Sequence, residues 1–538
     1  MGLFRKETPE QQLLAAAVKI ANQGSGAMAQ GGGGGVETRW RGASRMIRSM
    51  ASWLPALGSP RKDLASSERS VLVARSRDAM RNHLVARAAI VRNRTSVVGT
   101  GLMARPQVDW QALGITEDEG EALNEQLDRE FRMWAENPIE CDAEATLNHY
   151  QLQALALVSA LVGGDCFATT PFIERKGAVY GTKIELVETD RVCNPRGWID
   201  SDRLIEGIEI DEHGAPVAFY ICNGYPNETV RNQTLEWRRF EAFGSQTGRR
   251  RVLQVWADKD RPGQKRGAPY LAPVLEPLQK LERYASAELM AAVVSAMFTV
   301  FLKKGAGFDG SGMGMPAFSN GEDTQSGAID SAPVALGEGA VVDLAPGEEP
   351  VMANPARPNA QFDPFFTSIV KEIGAALEIP MEELMLYYSS SYSAARAAML
   401  QAWRAYEMRR WWLVCDFCQP TYELLVDEAV ARGRIIAPGY SDPAKRRAYL
   451  QCIWIGPAKG AIDELKEAKA ARERIDIGVS NETIETAAMT GETWDQIQRQ
   501  RKRELDRRKR DGTLPQAATP AQQQRPPAPA QEDEEEQQ

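Results

Sequence analysis

The chain has 538 residues, 43% of them hydrophobic and 25% charged, which excludes a collagen, a mucin or a wholly disordered chain and calls for several packed segments. Its net charge of -9 is unevenly placed: residues 1–70 carry +5, 499–510 carry +6 and 511–538 carry -5, leaving -15 on the body between 71 and 498. Such a body is either an ordinary acidic protein surface or one that repels phosphate.

From the N-terminus, Met1 to Lys6 has no signal-peptide core, and Lys6 stands where a myristoylation signal needs Ser or Thr. Residues 1–70 read as a flexible basic arm: a short helix at about 10–22, the linker Gly31 to Gly35, then Arg39, Trp40, Arg41, Arg45, Arg48 and Trp53. Basic residues interleaved with Trp suit either nucleic acid or a neighbouring subunit.

Helical patterning follows over Ser76–Arg94, stopped by Gly99-Thr100-Gly101, and over Glu119–Trp134 and Leu147–Leu161. Between 165 and 258 the pattern changes to short β-prone runs: Phe167–Thr170, Lys183–Val187, Leu204–Ile210, Val217–Tyr220 and Val252–Trp256. Pro277 suits a first helical turn, and no Gly or Pro intervenes before Lys304, so a helix of about 28 residues, roughly 42 Å, is expected. Its apolar run, Leu289 to Leu302, is too short to span a bilayer. Residues 305–357 are Gly-, Pro-, Ser- and Asp-rich, with a β-prone stretch Ala340–Leu344.

A second helix is expected from Pro358 to Glu378, ending before Pro380. A polar loop rich in tyrosine, Tyr387 to Ser393, precedes a third helix, Ala394–Glu428, with a kink at Pro420. Residues 461–510 read as charged helix, and 511–538, ending in Glu532 to Glu536, as a disordered acidic tail. The fold class is therefore α+β, mainly helical.

Catalytic signatures are missing. No phosphate-binding loop, nucleophile elbow or zinc-protease motif occurs, and His83, His149 and His213 are far apart. Gly310-Ser311-Gly312 completes no dinucleotide fingerprint, and the acid pairs Glu348-Glu349 and Glu382-Glu383 have no clustered partners. Seven cysteines in no framework spacing fit reduced thiols; Cys415 and Cys418, one helical turn apart, read as buried structural thiols rather than a metal site. No cofactor is expected, and a structural or channel protein fits better than an enzyme.

Five blocks in order carry a resemblance: Arg81 to Gly101; Arg261, Gln264, Arg266, Gly267, Pro269 and Pro273 followed by Tyr284 and Glu288; Phe362 to Pro380; Tyr392, Ser393, Arg396 and Trp403; and Trp454 to Ala470. Together they resemble the lambda-type phage portal proteins over roughly 71–500. Asp463-Glu464 departs from the Asp-Pro that such proteins tend to carry there.

The resemblance implies a ring, typically of twelve subunits, at one capsid vertex. It implies docking of terminase and then head–tail connector proteins, contact with major capsid and scaffold proteins, and passage of double-stranded DNA without sequence reading. It implies no membrane partner, a place in the virion, and host cytoplasm during assembly. The family architecture then divides the chain into a wing at 71–270, a first stem helix at 271–304, a clip at 305–357 and a second stem helix at 358–380. A tunnel loop at 381–393, a tunnel helix returning to the wing at 394–456, and a crown at 457–510 complete it. In that frame Glu372, Glu378, Glu382 and Glu383 are expected in an acidic tunnel wall. Tyr387, Tyr388 and Tyr392 are expected either to brush DNA or to pack between subunits. Arg499, Arg501, Lys502, Arg503, Arg507, Arg508, Lys509 and Arg510 are expected to contact DNA in the crown or to form a solvated helix. Other readings are a connector or minor capsid protein, which would lack the long stem helices, and a DNA-processing enzyme, which would need a phosphate loop or clustered carboxylates.

Overall fold

The computed structural model describes residues 52, 58–226, 228, 234–296, 300–304, 348–352, 361–388, 391–460 and 463–513. The expected helix at 10–22, the glycine run, the Arg and Trp residues between 39 and 53, the strand at 340–344 and the tail beyond 513 lie outside them. The chain divides into two units at Asp63. The first contributes the one-turn helix Pro60–Asp63; everything below concerns the second.

Helix α1 (Ser66–Asn82) starts ten residues before the expected stretch and breaks at His83, which is extended. The His83 ring caps the next helix, α2 (Leu84–Asn93), through Nδ1, which accepts from the Ala86 N–H. Helix α2 widens into a π-turn, Arg94–Val98, and ends at Gly99. Gly99 has φ +57°, and a Cβ there would come within 2.8 Å of Pro457, so the glycine stop serves both conformation and packing. Strand β1 (Met103–Pro106) follows. Helix α3 (Glu117–Ala135) opens with a capping box between Thr116 and Glu119, and α4 (His149–Gly163) with one between Asn148 and Gln151. Both match the expected helices within two residues.

Strand β2 (Asp165–Thr169) is the centre of a three-stranded antiparallel sheet, flanked by β3 (Glu185–Val187) and β8 (Val252–Trp256). Its five residues are all buried, as a central strand demands. Beside it β4 (Leu204–Ile205), β5 (Ile208–Ile210), β6 (Pro216–Cys222) and β7 (Trp237–Glu241) form an antiparallel meander. Phe167, Phe219, Ile208 and Val252 pack in a small core of their own.

The first long helix corrects an expectation. Helix α5 (Leu275–Ala296) stops eight residues short of Lys304, and Val300–Lys304 is strand β9. It pairs antiparallel with β10 (Glu348–Met352), from Val300 opposite Met352 to Lys304 opposite Glu348. The absence of Gly and Pro was not enough to prolong the helix. Phe298, Thr299, Val300 and Phe301 are β-branched or aromatic, and such side chains lose χ1 freedom in a helix and fit a pleated surface.

Helix α6 (Phe362–Ala376) ends through Glu378, which adopts φ +57°. The expected loop at 381–393 is helical in its first part: α7 (Met381–Met385) ends at Leu386 in the left-handed region. Helix α8 (Tyr392–Leu413) continues through a π-turn, Val414–Cys418, into α9 (Gln419–Ala431). The wide turn directly precedes Pro420, the position of the expected kink. It also corrects the cysteine reading: Cys418 is buried but Cys415 is exposed, because one π-turn shifts the helical register by a residue. No metal-holding cluster of His, Cys, Asp and Glu occurs among the described residues. Helix α10 (Pro443–Tyr449) leads to β11 (Cys452–Ile455), which pairs back onto β1. Helices α11 (Glu464–Asp476), α12 (Glu482–Thr490) and α13 (Trp494–Arg510) complete the described chain.

One core joins most of these helices to the β2 sheet, through Ile90, Phe131, Trp134, Leu161, Leu253, Leu278, Ile373, Leu384 and Phe417. No described helix is long and apolar enough to cross a membrane.

Candidate functional site

The block around Arg266 builds a buried ionic knot rather than a ligand site. Arg266 is 2% exposed, and Asp165, at the start of β2, is fully buried. The guanidinium meets the carboxylate with both arms, at 2.8 and 3.1 Å. Its remaining N–H groups donate to the carbonyls of Val192, Glu206 and Thr189 at 2.7–2.8 Å. The Gly267 N–H donates to Asp165 as well. Arg69 from α1 joins through Glu206 and the Thr189 hydroxyl. Burial alone would push the Asp165 carboxyl up; the Arg266 guanidinium outweighs it and holds the group below the usual carboxylate range. The glycine is required: a Cβ on Gly267 would lie 1.9 Å from the Gly164 carbonyl oxygen.

The other block residues also pack. The Gln264 side chain accepts from the Asp260 and Arg261 N–H groups and donates to the Arg266 carbonyl. Pro269 precedes the one-turn 3-10 helix Ala272–Val274, and Pro273 sits inside it. Tyr284 stacks on Phe362 with centroids 5.4 Å apart, tying α5 to α6, and Glu288 lies one turn further along α5. Arg396 pairs with Glu467 across to α11, Trp403 donates to Glu407 at 2.6 Å, and the Ser393 hydroxyl meets that of Ser391.

The four expected wall acids divide into two kinds. Glu372 is exposed on α6 and Glu382 half-buried on α7. Glu378 and Glu383 instead clamp the turn between α6 and α7 onto α8. Glu378 pairs with Arg409 at 2.8 Å; Arg409 is nearly buried, donates to Asn93 and lies over the Tyr270 ring. Glu383 accepts from the Tyr406 hydroxyl at 2.9 Å. Burial raises its carboxyl above the ordinary range, against the Tyr406 hydrogen bond and nearby Arg92.

Beyond this clamp the chain projects an apolar tip. Leu386, Tyr387 and Tyr388 are 57%, 63% and 51% exposed, and Met385 is exposed as well. The Tyr392 side chain lies outside the described residues. Single exposed apolar residues are ordinary; here four stand in succession on a hydrogen-bonded turn.

The basic cluster lies on α13. Its first two turns dock on the body, with Asp495 on Arg105 at 2.6 Å and Arg499 on Glu125 at 3.0 Å. From Arg499 to Arg510 every residue is exposed.

The sequence motifs pointed to Arg266 and Gly267 but not to Asp165, Thr189, Arg69, Tyr406 or Arg409. Those partners sit on elements far away in the chain, and no short pattern announces them.

A family model described as phage portal protein, lambda family, matches residues 47–410. Portal protein B of Escherichia phage lambda is 26% identical over 460 residues, covering 82% of this chain and 85% of that protein. The portal protein of Escherichia phage N15 is 26% identical over 462 residues with the same coverage. Among solved structures, the neck of a native gene transfer agent particle aligns with a TM-score of 0.40 and 13% identity, covering 77% of this chain and 93% of that one.

Proposed function

Because this chain belongs to the lambda family of phage portal proteins, a structural rather than an enzymatic family, we propose that its copies close into a ring of twelve at one vertex of the phage head. The observation that carries this reading is the match over 47–410, which spans the buried knot, the clamp and most of α8. DNA passes through the ring, driven by a terminase on another chain. The ring then receives head–tail connector proteins and meets capsid and scaffold proteins as it is built into the head.

In this reading 71–270 is the wing. The stem is α5 and α6, shorter than 271–304 and 358–380, with β9 leading into the clip at 305–357 and β10 near the end of that stretch. Helix α8 is the tunnel helix, 394–456 returns to the wing, and 457–510 is the crown. The tip Met385–Tyr388 is the tunnel loop, and the Glu378–Arg409 and Glu383–Tyr406 contacts hold its base rigid. Glu372 and Glu382 stay available as acidic wall, whereas Glu378 and Glu383 serve chiefly as clamps. A wall that binds phosphate weakly suits passage, since each firmly held phosphate must be released at every step. Tyr387 and Tyr388 supply a sequence-blind contact, because every duplex presents the same outer surface. The exposed helix α13 carries the crown's contact with packaged DNA.

The test is native mass. Twelve copies of 59.4 kDa weigh about 713 kDa. A particle near that mass with a central hole in stained images supports the proposal. A compact particle without a hole overturns it.

A further inference from the structure

We infer that the acidic segment Glu532 to Glu536 of the same chain docks on the exposed basic face of helix α13. This rests in part on the crown reading above, but it concerns what occupies the helix when no nucleic acid does.

The first observation is the helix itself. Arg501, Lys502, Arg503, Arg507, Arg508, Lys509 and Arg510 lie in its last ten residues and are all exposed. Only Glu504 and Asp506 offset them, and none of the seven cations has an ion pair among the described residues. Elsewhere on the body surface arginines commonly find carboxylates, as Arg77, Arg239, Arg434 and Arg474 do. Arg503, Arg507 and Arg510, at i, i+4 and i+7, form one stripe. Cations crowded like this repel one another, and an external anion relieves that repulsion.

The second observation is the candidate anion. Glu532-Asp533-Glu534-Glu535-Glu536 places five consecutive carboxylates on the same chain, with the single cation Arg525 between Asp511 and that run. Twenty-one residues separate Arg510 from Glu532. Such a stretch reaches about 70 Å at most, whereas Arg501 to Arg510 rises only about 14 Å, so the acidic run can lie along the whole basic face. Tethering makes the encounter intramolecular, with an effective concentration of the order of millimolar. One exposed ion pair contributes little, but five carboxylates against seven cations act together. The same face is the one that phosphates would use, so the tail competes with DNA and weakens sequence-blind binding by the free subunit.

Carbodiimide coupling on the full chain tests this, because it joins a lysine to a carboxylate only at direct contact. The expected products link Lys502 or Lys509 to residues 532–536 at low salt, and they fall at least tenfold at 1 M NaCl. In a chain carrying Glu→Gln and Asp→Asn across 532–536, affinity for a 30-base-pair duplex should rise about tenfold. Absence of these links, or coupling of the acidic run to body lysines as often as to α13, overturns the proposal. Links found only between isotopically light and heavy copies overturn the same-chain assignment. Links with unchanged duplex affinity support the docking and count instead against α13 as a DNA contact, so the two readings fail separately.

Discussion

Replacing Arg266 by Met removes the cation from a knot in which Asp165 is wholly buried. Met keeps an unbranched apolar stem without the charge, but it ends short of the guanidinium that now covers the Phe167 ring at 5.1 Å, so that contact is weakened as well. What is lost is the bidentate pair and three further hydrogen bonds to carbonyls. Breaking one partner of a buried pair costs about 3–5 kcal/mol, because the other charge stays behind. Against a total stability of about 5–15 kcal/mol this is a large share. The pH dependence gives a sharper signature. In the native chain the depressed Asp165 carboxyl contributes stability that is present above its ordinary range and lost as pH falls through that range. Without Arg266 burial dominates and the carboxyl is driven upward, so Arg266→Met loses most at pH 8 and less at pH 5. Urea denaturation followed by circular dichroism at both pH values measures this. The double variant Asp165→Asn/Arg266→Met should recover at least half of the loss at pH 8. A loss below about 1 kcal/mol, or one equal at both pH values with no recovery in the double variant, would refute the reasoning.

Two further groups give pH predictions of opposite sign. His149 is fully buried among Phe131, Trp134, Tyr150 and Phe417, with no partner for either ring nitrogen among the described residues. Burial lowers its pKa to about 3, so stability tied to the neutral ring is complete above the ordinary 6.5 and drains away as pH falls. Between pH 7 and 4.5 this amounts to about 2.5 kcal/mol, and His149→Phe should remove that slope in a pH series of urea midpoints; an unchanged slope would contradict it. Asp416 runs the other way: burial raises it to about 6 against the Trp256 N–H and the charges of Arg250 and Lys259. Its ionisation lowers stability as pH rises from about 4 to 6, so Asp416→Asn should gain about 1–3 kcal/mol at pH 8 and almost nothing at pH 4, read from thermal midpoints.

Helices α3 and α4 were legible from their helical patterning, and the capping boxes that open them were also open to reading in the sequence. Gly99, as a stop signal, was equally plain. Strands β1, β7 and β11 were not. Trp237–Glu241 has two arginines in its centre, and Met103–Pro106 ends in proline, so neither shows the alternation of a half-buried strand. Both strands lie at a sheet edge or in a two-stranded ladder, where that alternation is weakly enforced. The end of α5 carries no Gly or Pro to mark it; its only signal is the β-branched and aromatic run that follows. The wall acids show a different limit. Charge and position along the chain put four glutamates near the loop, but whether a carboxylate faces outward depends on what stands opposite. Arg409 and Tyr406, on α8, turn Glu378 and Glu383 into clamps. Family blocks marked Arg266 and Gly267 as important, while the reason, a carboxylate 101 residues earlier, emerged only in three dimensions.

In the proposed ring, the tip Met385–Tyr388 is the constriction of a DNA channel. A cryo-electron-microscopy reconstruction of the purified ring tests it directly. The expected map has an axial hole wide enough for a duplex, with Leu386, Tyr387 and Tyr388 from every subunit at its narrowest level. A ring with those residues buried between subunits or on its outer rim would contradict it.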